Sequence, residues 1–260
     1  MPLTILWKES FARNIVPEYY KQSVVCPIYK KGDRTLPSNY HLISLTSHVM
    51  KVAERVLRKI IVDYLESKKI ISSGQHGFRS GRSTLSQLLM HFDQVFDGIL
   101  QGQGTDTIFL DYAKAFDKVD HQLLIQKMIQ YGFPTNLVEW ISSFLDDRKQ
   151  TVVVNGAKSR EAPVISGVPQ GTMLEPILFL IIINDLENKI ADSNVCFFAD
   201  DTQISKQIGS LDCKALLEGD LAKVLEWSKV NNMELNENKF ELMSYRSKPN
   251  KVAQEMPYYS

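Results

Sequence analysis

The sequence predicts an α+β fold, on three observations. Long stretches carry apolar residues at helical spacing, short apolar runs read as buried strands, and two of those runs close on aspartates. Residues 48–66 place Val49, Val52, Ala53, Val56, Leu57, Ile60, Ile61, Tyr64 and Leu65 on one helical stripe. Residues 83–100 predict a second helix, capped by Ser83 or Thr84, with Leu85, Leu88, Leu89, Phe92, Val95, Phe96 and Ile99 facing inward. Next comes a strand, Thr107-Ile108-Phe109-Leu110, that ends on Asp111. Two shorter helices, near 121–131 and 135–146, are separated by Gly132-Phe133-Pro134. Residues 151–154 lead into Asn155-Gly156, a hairpin signal. Residues 176–189 and 211–230 read as helices and 239–245 as a strand; between them Val195-Cys196-Phe197-Phe198-Ala199 ends on Asp200-Asp201. No repeat or low-complexity tract divides the chain.

The paired acids carry the chemistry. Like charges a few ångströms apart repel, and the usual relief is protonation or a bound cation. Asp146-Asp147 provides the contrast, because it lies in the polar stretch Asp146-Asp147-Arg148-Lys149-Gln150, where water and cations solvate it. If the two strands bring Asp111 to the Asp200-Asp201 turn, the cluster of hard oxygens suits Mg²⁺, which takes one or two carboxylates plus phosphate oxygens and waters. Two such ions, about 3.5–4 Å apart, clamp the attacking and leaving oxygens of phosphoryl transfer. The bland alternative is a pair of polar strand ends, since acids readily mark turns.

Composition fits a folded unit with a real core, at 260 residues and 44% hydrophobic. A net charge of zero does not by itself suggest a nucleic-acid partner, but the distribution does: residues 1–100 hold 14 Lys/Arg against 8 Asp/Glu, and residues 101–200 hold 8 against 13. Cys26, Cys196 and Cys213 have neither metal nor disulfide spacing and read as reduced thiols of an intracellular protein, nucleus or cytoplasm left open. No signal peptide is read at the start, and the longest apolar run, residues 177–183, is too short to cross a bilayer.

Eight strings in order then give a resemblance. They are Ser23-Val24-Val25-Cys26-Pro27-Ile28-Tyr29-Lys30-Lys31-Gly32-Asp33, Asn39-Tyr40-His41-Leu42-Ile43-Ser44-Leu45, and Gln75-His76-Gly77-Phe78-Arg79-Ser80-Gly81-Arg82-Ser83-Thr84. Leu110-Asp111-Tyr112-Ala113-Lys114-Ala115-Phe116-Asp117-Lys118-Val119-Asp120-His121 follows, then Gly167-Val168-Pro169-Gln170-Gly171, Ile183-Asn184-Asp185-Leu186, Phe198-Ala199-Asp200-Asp201, and residues 227–239. Together they resemble the reverse transcriptase domain of non-LTR (LINE-type, jockey-like) retrotransposons. The resemblance implies a right-hand polymerase fold over residues 1–260: fingers about 1–104 and 120–165, a ferredoxin-like palm about 105–119 and 166–260, the thumb absent or truncated. It also implies a fragment of a longer endonuclease-polymerase protein, acting on an RNA template, a DNA primer and deoxynucleoside triphosphates, with no membrane.

Matched residue by residue, Asp111, Asp200 and Asp201 are the expected catalytic carboxylates. With the Tyr112 carbonyl they form the expected ligands of two Mg²⁺, with Mn²⁺ able to stand in. Phe116 matches the aromatic that excludes a 2′-hydroxyl. Gln170, Gly171 and Lys30 match nucleotide contacts, and Lys239 the lysine proposed to protonate pyrophosphate. Lys31, Arg79 and Arg82 match template contacts. Each has a plainer reading beside it: core ring, turn or solvated surface. His76 and His121 read as structural, and Trp227 as core. The pattern also departs from the family's. His41-Leu42 replaces Arg-Pro, and imidazole lacks the always-charged bidentate grip of arginine. Glu175 stands for Gly, and Ile182 for an aromatic. Other readings share the acids: an impaired or dead fragment that at most binds nucleic acid, a group II intron-type maturase, or an RNA-copying polymerase.

Overall fold

The computed structural model describes residues 2–247. In chain order its principal elements are α1 (Pro2–Arg13), β1 (Gln22–Tyr29), β2 (Tyr40–Leu45), α2 (His48–Ser67), α3 (Thr84–Leu100), β3 (Gly104–Leu110), α4 (His121–Gln130), α5 (Thr135–Leu145), β4 (Lys149–Val154), β5 (Ala157–Lys158), β6 (Ala162–Pro163), α6 (Glu175–Ile183), β7 (Asn194–Phe198), β8 (Asp201–Ile208), α7 (Leu211–Val230) and β9 (Glu241–Tyr245). They fall into two units, Met1–Ile70 with Phe116–Ile182, and Ile71–Ala115 with Ile183–Ser260. Helix starts are set by local chemistry. Ser47, Ser83, Asp120 and Ser210 each accept a main-chain N–H from the first turn, at α2, α3, α4 and α7.

The first unit holds the sheet β2-β1-β4-β5, with β6 also paired to β4. The Asn155-Gly156 signal lies at the β4–β5 hairpin, where Val154 faces Ala157. Its aromatic core joins α1 to α5: Phe11 meets Trp140 at 5.6 Å, Trp140 stacks on Phe144 at 5.8 Å, and the Trp140 indole donates to Ser10. The α2 stripe is narrower than the sequence predicts. Met50, Ala53, Leu57, Ile61 and Leu65 are buried, whereas Val52, Val56 and Ile60 are exposed, and Glu54 is fully buried in their place. Helix α6 is apolar all round, with residues 177–183 buried throughout. Among the described residues no helix is long and apolar enough to cross a membrane.

The second unit holds an antiparallel sheet ordered β7-β8-β3-β9. Numbered along the chain, that order reads second, third, first, fourth, the split β-α-β arrangement of ferredoxin-like sheets. Helices α3 and α7 pack on it. The α3 expectation is corrected here. The buried positions are His91, Val95 and Gly98, while Leu85, Leu88, Leu89, Phe92 and Phe96 are exposed. Both stripes have helical period, and the one with small and polar residues fits against β3 because Gly98 lets the backbones close to the Thr105 hydroxyl. The strand expected over 239–245 begins at Glu241, because Glu237–Lys239 is a single 3₁₀ turn.

Candidate active site

Strand register assembles the carboxylates. In the β3–β8 pairing the last partners are Leu110 and Thr202. Asp111 follows Leu110 and Asp201 precedes Thr202, so the two carboxylates leave the pairing at the same end, and both line one cavity. The β7–β8 hairpin closes with Phe198 opposite Asp201, so Ala199 and Asp200 form its two-residue loop. Ala199 has φ +59°, a left-handed conformation that an alanine adopts only under constraint. Burial raises the pKa of Asp200, and the charges of Asp201 and Asp111 raise it further. Asp201 is likewise raised by burial and then by Asp111, with Lys239 opposing.

Residues 111–113 are held from the other side by residues 234–236. Ala113 N–H donates to the Glu234 carbonyl at 2.7 Å and Asn236 N–H to the Asp111 carbonyl at 2.8 Å. Because carbonyls alternate along extended backbone, the Tyr112 carbonyl is turned away from the 234–236 segment. The Tyr112 ring is buried, 6.3 Å from Trp227, and burial pushes its phenol pKa well above the usual range. Trp227 in turn donates to Asp185 at 2.8 Å. The 3₁₀ turn ending at Lys239 sets its Nζ 2.9 Å from Asp111 Oδ2. A cavity of about 470 Å³ opens beside these groups, lined by Asp111, Asp201, Gln203, Lys239, Gln87 and His91.

Among the described residues no group of three or more His, Cys, Asp or Glu is arranged to hold a metal ion. The Asp111 carboxylate is turned to Lys239 instead. The chemistry nevertheless fits a hard divalent cation: three carboxylates lie at the same end of the central strands, and burial followed by neighbouring carboxylates raises the pKa values of Asp200 and Asp201, which such a cation relieves.

A strap formed by residues 72–79 runs beside β7. Phe197 N–H donates to the Gly74 carbonyl and His76 N–H to the Phe197 carbonyl, both at 2.9 Å. The Gln75 side chain, 2% exposed, continues this ladder past the point where the backbone turns away. Its Oε1 accepts from Ala199 N–H at 3.0 Å and from Gly77 N–H at 2.7 Å, and its Nε2 donates to the Ala199 carbonyl at 3.3 Å. Gly77 must be glycine for close approach, since a Cβ there would lie 2.3 Å from the Ala199 nitrogen. Arg79 donates to the Ser72 carbonyl at 2.7 Å and so braces the strap, and Arg82 reaches His76 Nε2 at 3.4 Å.

The other nucleotide candidates lie in the first unit. Phe116 is half-buried with its ring centroid 4.5 Å from Phe179. Gln170 donates from Nε2 to Asp117 at 2.7 Å, and its carbonyl accepts Ser44 N–H at 2.9 Å. Gly171 has φ +92° with the Ser44 carbonyl 3.1 Å from where a Cβ would sit, so the turn excludes side chains. Lys30 and Lys31 are exposed where β1 ends.

A family profile described as "Reverse transcriptase (RNA-dependent DNA polymerase)" matches residues 28–257. The chain belongs to the reverse transcriptase family. It is 28% identical over 243 residues to the "Probable RNA-directed DNA polymerase from transposon X-element" of Drosophila melanogaster, covering 91% of this chain and 27% of that protein. It is 28% identical over 246 residues to the "RNA-directed DNA polymerase from mobile element jockey" of the same species, again covering 91% and 27%. Against the type-1 retrotransposable element R2 polyprotein of Popillia japonica the identity is 27% over 243 residues, covering 87% and 32%. The chain thus spans about a quarter to a third of the length of these relatives, which are enzymes of non-LTR retrotransposons. In fold it resembles apo telomerase from Candida tropicalis, with TM-score 0.66 and 13% identity over 96% of this chain and 56% of that one. The fold is therefore the α+β right-hand polymerase fold.

Departures of this chain from the family pattern have definite positions in the fold. His41 is exposed on β2, and Ile182 is buried in α6. Glu175 opens α6 and accepts the Gly171 N–H at 2.5 Å. Burial, and then the charge of Asp117, pushes the Glu175 pKa up to about 7. Its folded value exceeds the ordinary 4.5, so the proton favours the folded state: the group's contribution is full below about pH 4.5 and is lost as pH rises through about 7. Glu175→Gln is expected to flatten that loss, read as a smaller change in urea midpoint between pH 5 and pH 8 than the parent shows. An identical change in both chains would show that Glu175 does not titrate there.

Two supporting residues escaped the sequence reading. Gln75 stands inside a quoted string, but nothing in its neighbours signals a partner 124 positions away. Glu54 sits on the predicted apolar face of α2, which is itself the signal: a carboxylate in an inward stripe needs a partner, here Met173 N–H at 2.6 Å.

Proposed function

We propose that this chain is the polymerising segment of a retrotransposon RNA-directed DNA polymerase, adding templated deoxynucleotides to a primer 3′-hydroxyl. The observation that supports the reading is the gathering of Asp111 and Asp201 at the same end of the β3–β8 pairing, with Asp200 in the adjoining loop and the acids acting on one another. Asp111, Asp200, Asp201 and the Tyr112 carbonyl would hold Mg²⁺. When bound, such ions supply positive charge to the attacking and departing oxygens. The protein's own share is positioning and charge stabilisation as the hydroxyl attacks the α-phosphate and pyrophosphate leaves. The carboxylates act ionised, so activity falls as pH drops through the raised values of Asp200 and Asp201. The Lys239 ammonium, held beside Asp111, is placed to give a proton to departing pyrophosphate. Lys30, Gln170 and Gly171 serve the triphosphate, and Lys31, Arg79 and Arg82 the template backbone.

The test is extension of a DNA primer on an RNA template with deoxynucleotides and Mg²⁺. The chain is expected to extend the primer and Asp111→Asn to fail. Equal extension by both would end the reading. Phe116 serves sugar choice by bulk, so Phe116→Ala is expected to raise ribonucleotide use relative to deoxynucleotide use about tenfold or more, measured as the ratio of kcat/KM values. An unchanged ratio would return Phe116 to a plain packing role against Phe179.

One observation favours a second reading, a nucleic-acid-binding segment with impaired synthesis. The Gly171 N–H and the Gln170 amide are already engaged by Glu175 and Asp117. Under this reading Glu175→Gly releases the Gly171 N–H and raises extension; no gain in the variant would dismiss it.

A further inference from the structure

We propose that Gln75 is a positioning residue for the carboxylate hairpin, its side-chain amide closing on both main-chain groups of Ala199 and so holding Asp200 and Asp201 in line with Asp111. The inference rests on the metal-carboxylate reading above and deepens it.

Three observations converge. Ala199, which immediately precedes the acids, takes φ +59°, a left-handed conformation that is strained for an alanine. The residue is buried, so its N–H and C=O need partners. Phe197 on β7 and Ala199 in the loop two residues on both turn their main-chain groups to the 72–79 strap. The strap backbone serves Phe197, and the Gln75 amide serves Ala199. The chemistry demands an amide, because a single planar group must offer one acceptor and one donor. Met has the length without either, and Asn has both but is one methylene short. Repulsion among Asp111, Asp200 and Asp201 pushes the loop open, and the clamp opposes that push. Gln75 is thus to the carboxylates what a hydrogen-bonded outer partner is to a metal ligand.

Mn²⁺ binding to the unliganded chain, followed by the paramagnetic resonance of the free ion, reads the clamp without turnover. Gln75→Met is expected to weaken Mn²⁺ about tenfold, in the range of outer-partner losses, while retaining a cooperative melting transition. Adding Ala199→Gly to that variant is expected to recover at least about threefold, since glycine takes positive φ without strain. A loss smaller than about threefold in Gln75→Met overturns the proposal, and so does the absence of recovery with glycine at 199. Failure of Gln75→Met to fold, with or without Ala199→Gly, overturns it too, because the residue is then a folding element. Asp111→Asn runs beside them: if the parent binds no Mn²⁺, or binds it equally after Asp111→Asn, the metal reading itself falls and takes the proposal with it. A parent whose binding depends on Asp111 but not on Gln75 sinks the clamp alone.

Discussion

Asp200→Asn is expected to abolish primer extension, by at least about 10³-fold or roughly 4 kcal/mol of barrier, and at the same time to make the metal-free chain more stable. The two effects share a cause. Burial and the neighbouring charges of Asp201 and Asp111 raise the Asp200 pKa, so its ionised form is disfavoured in the folded state. Asparagine keeps the shape and removes the charge. The sign follows from linkage: a raised folded value means stability is lost as pH rises, so the gap between variant and parent opens above the ordinary carboxylate range and closes below it. A gain on the order of 1 kcal/mol, about 2–4 °C in melting temperature, is the expected size at pH 8 with chelator present. Added Mg²⁺ should then stabilise the parent and leave the variant unmoved. A variant that melts lower than the parent in chelator would mean that Asp200 is held by favourable contacts rather than by strain against its neighbours.

Arg148→Met is expected to destabilise the first unit by about 3–5 kcal/mol, the usual consequence of leaving one buried charge without its opposite. Arg148 is 1% exposed and Glu54 0%. Burial drives the Glu54 pKa up and the Arg148 value down to about 10, and the two charges act on each other against burial. The guanidinium lies 5.0 Å over the Phe144 ring and donates to the Phe144 carbonyl. Glu54, beyond its charge, accepts the Met173 N–H, two residues past Gly171. Glu54→Leu alone should therefore cost a similar amount, and the double variant should recover at least half of the summed losses, since no buried charge remains. Urea denaturation of the four chains closes the cycle. Additive losses would mean that each charge is solvated independently and that no pair exists.

Much of this was legible beforehand because it is local. The helix over 211–230 was read to the residue, α2, α4 and α5 to within a residue or so, and the strand ends at Leu110 and near Phe198 from where apolar runs stop. Caps, periodicity and the β4–β5 hairpin depend on residues a few positions apart. The face that α3 buries was misread, since two stripes of equal period compete and shape against β3 chooses the less apolar one. Lys239 was expected within a strand and lies instead in the preceding turn, whose geometry points it at Asp111.

By itself the amino-acid order determined which acids terminate buried strands and which family pattern they belong to, because both are written in contiguous residues. Only the tertiary structure decided that Asp111 and Asp201 line one cavity, that Lys239 pairs with Asp111 across 128 positions, and that Gln75 grips a loop 124 positions away. Register and side-chain reach act through space, and a one-residue slip in pairing would turn a strand's side chains to the opposite face.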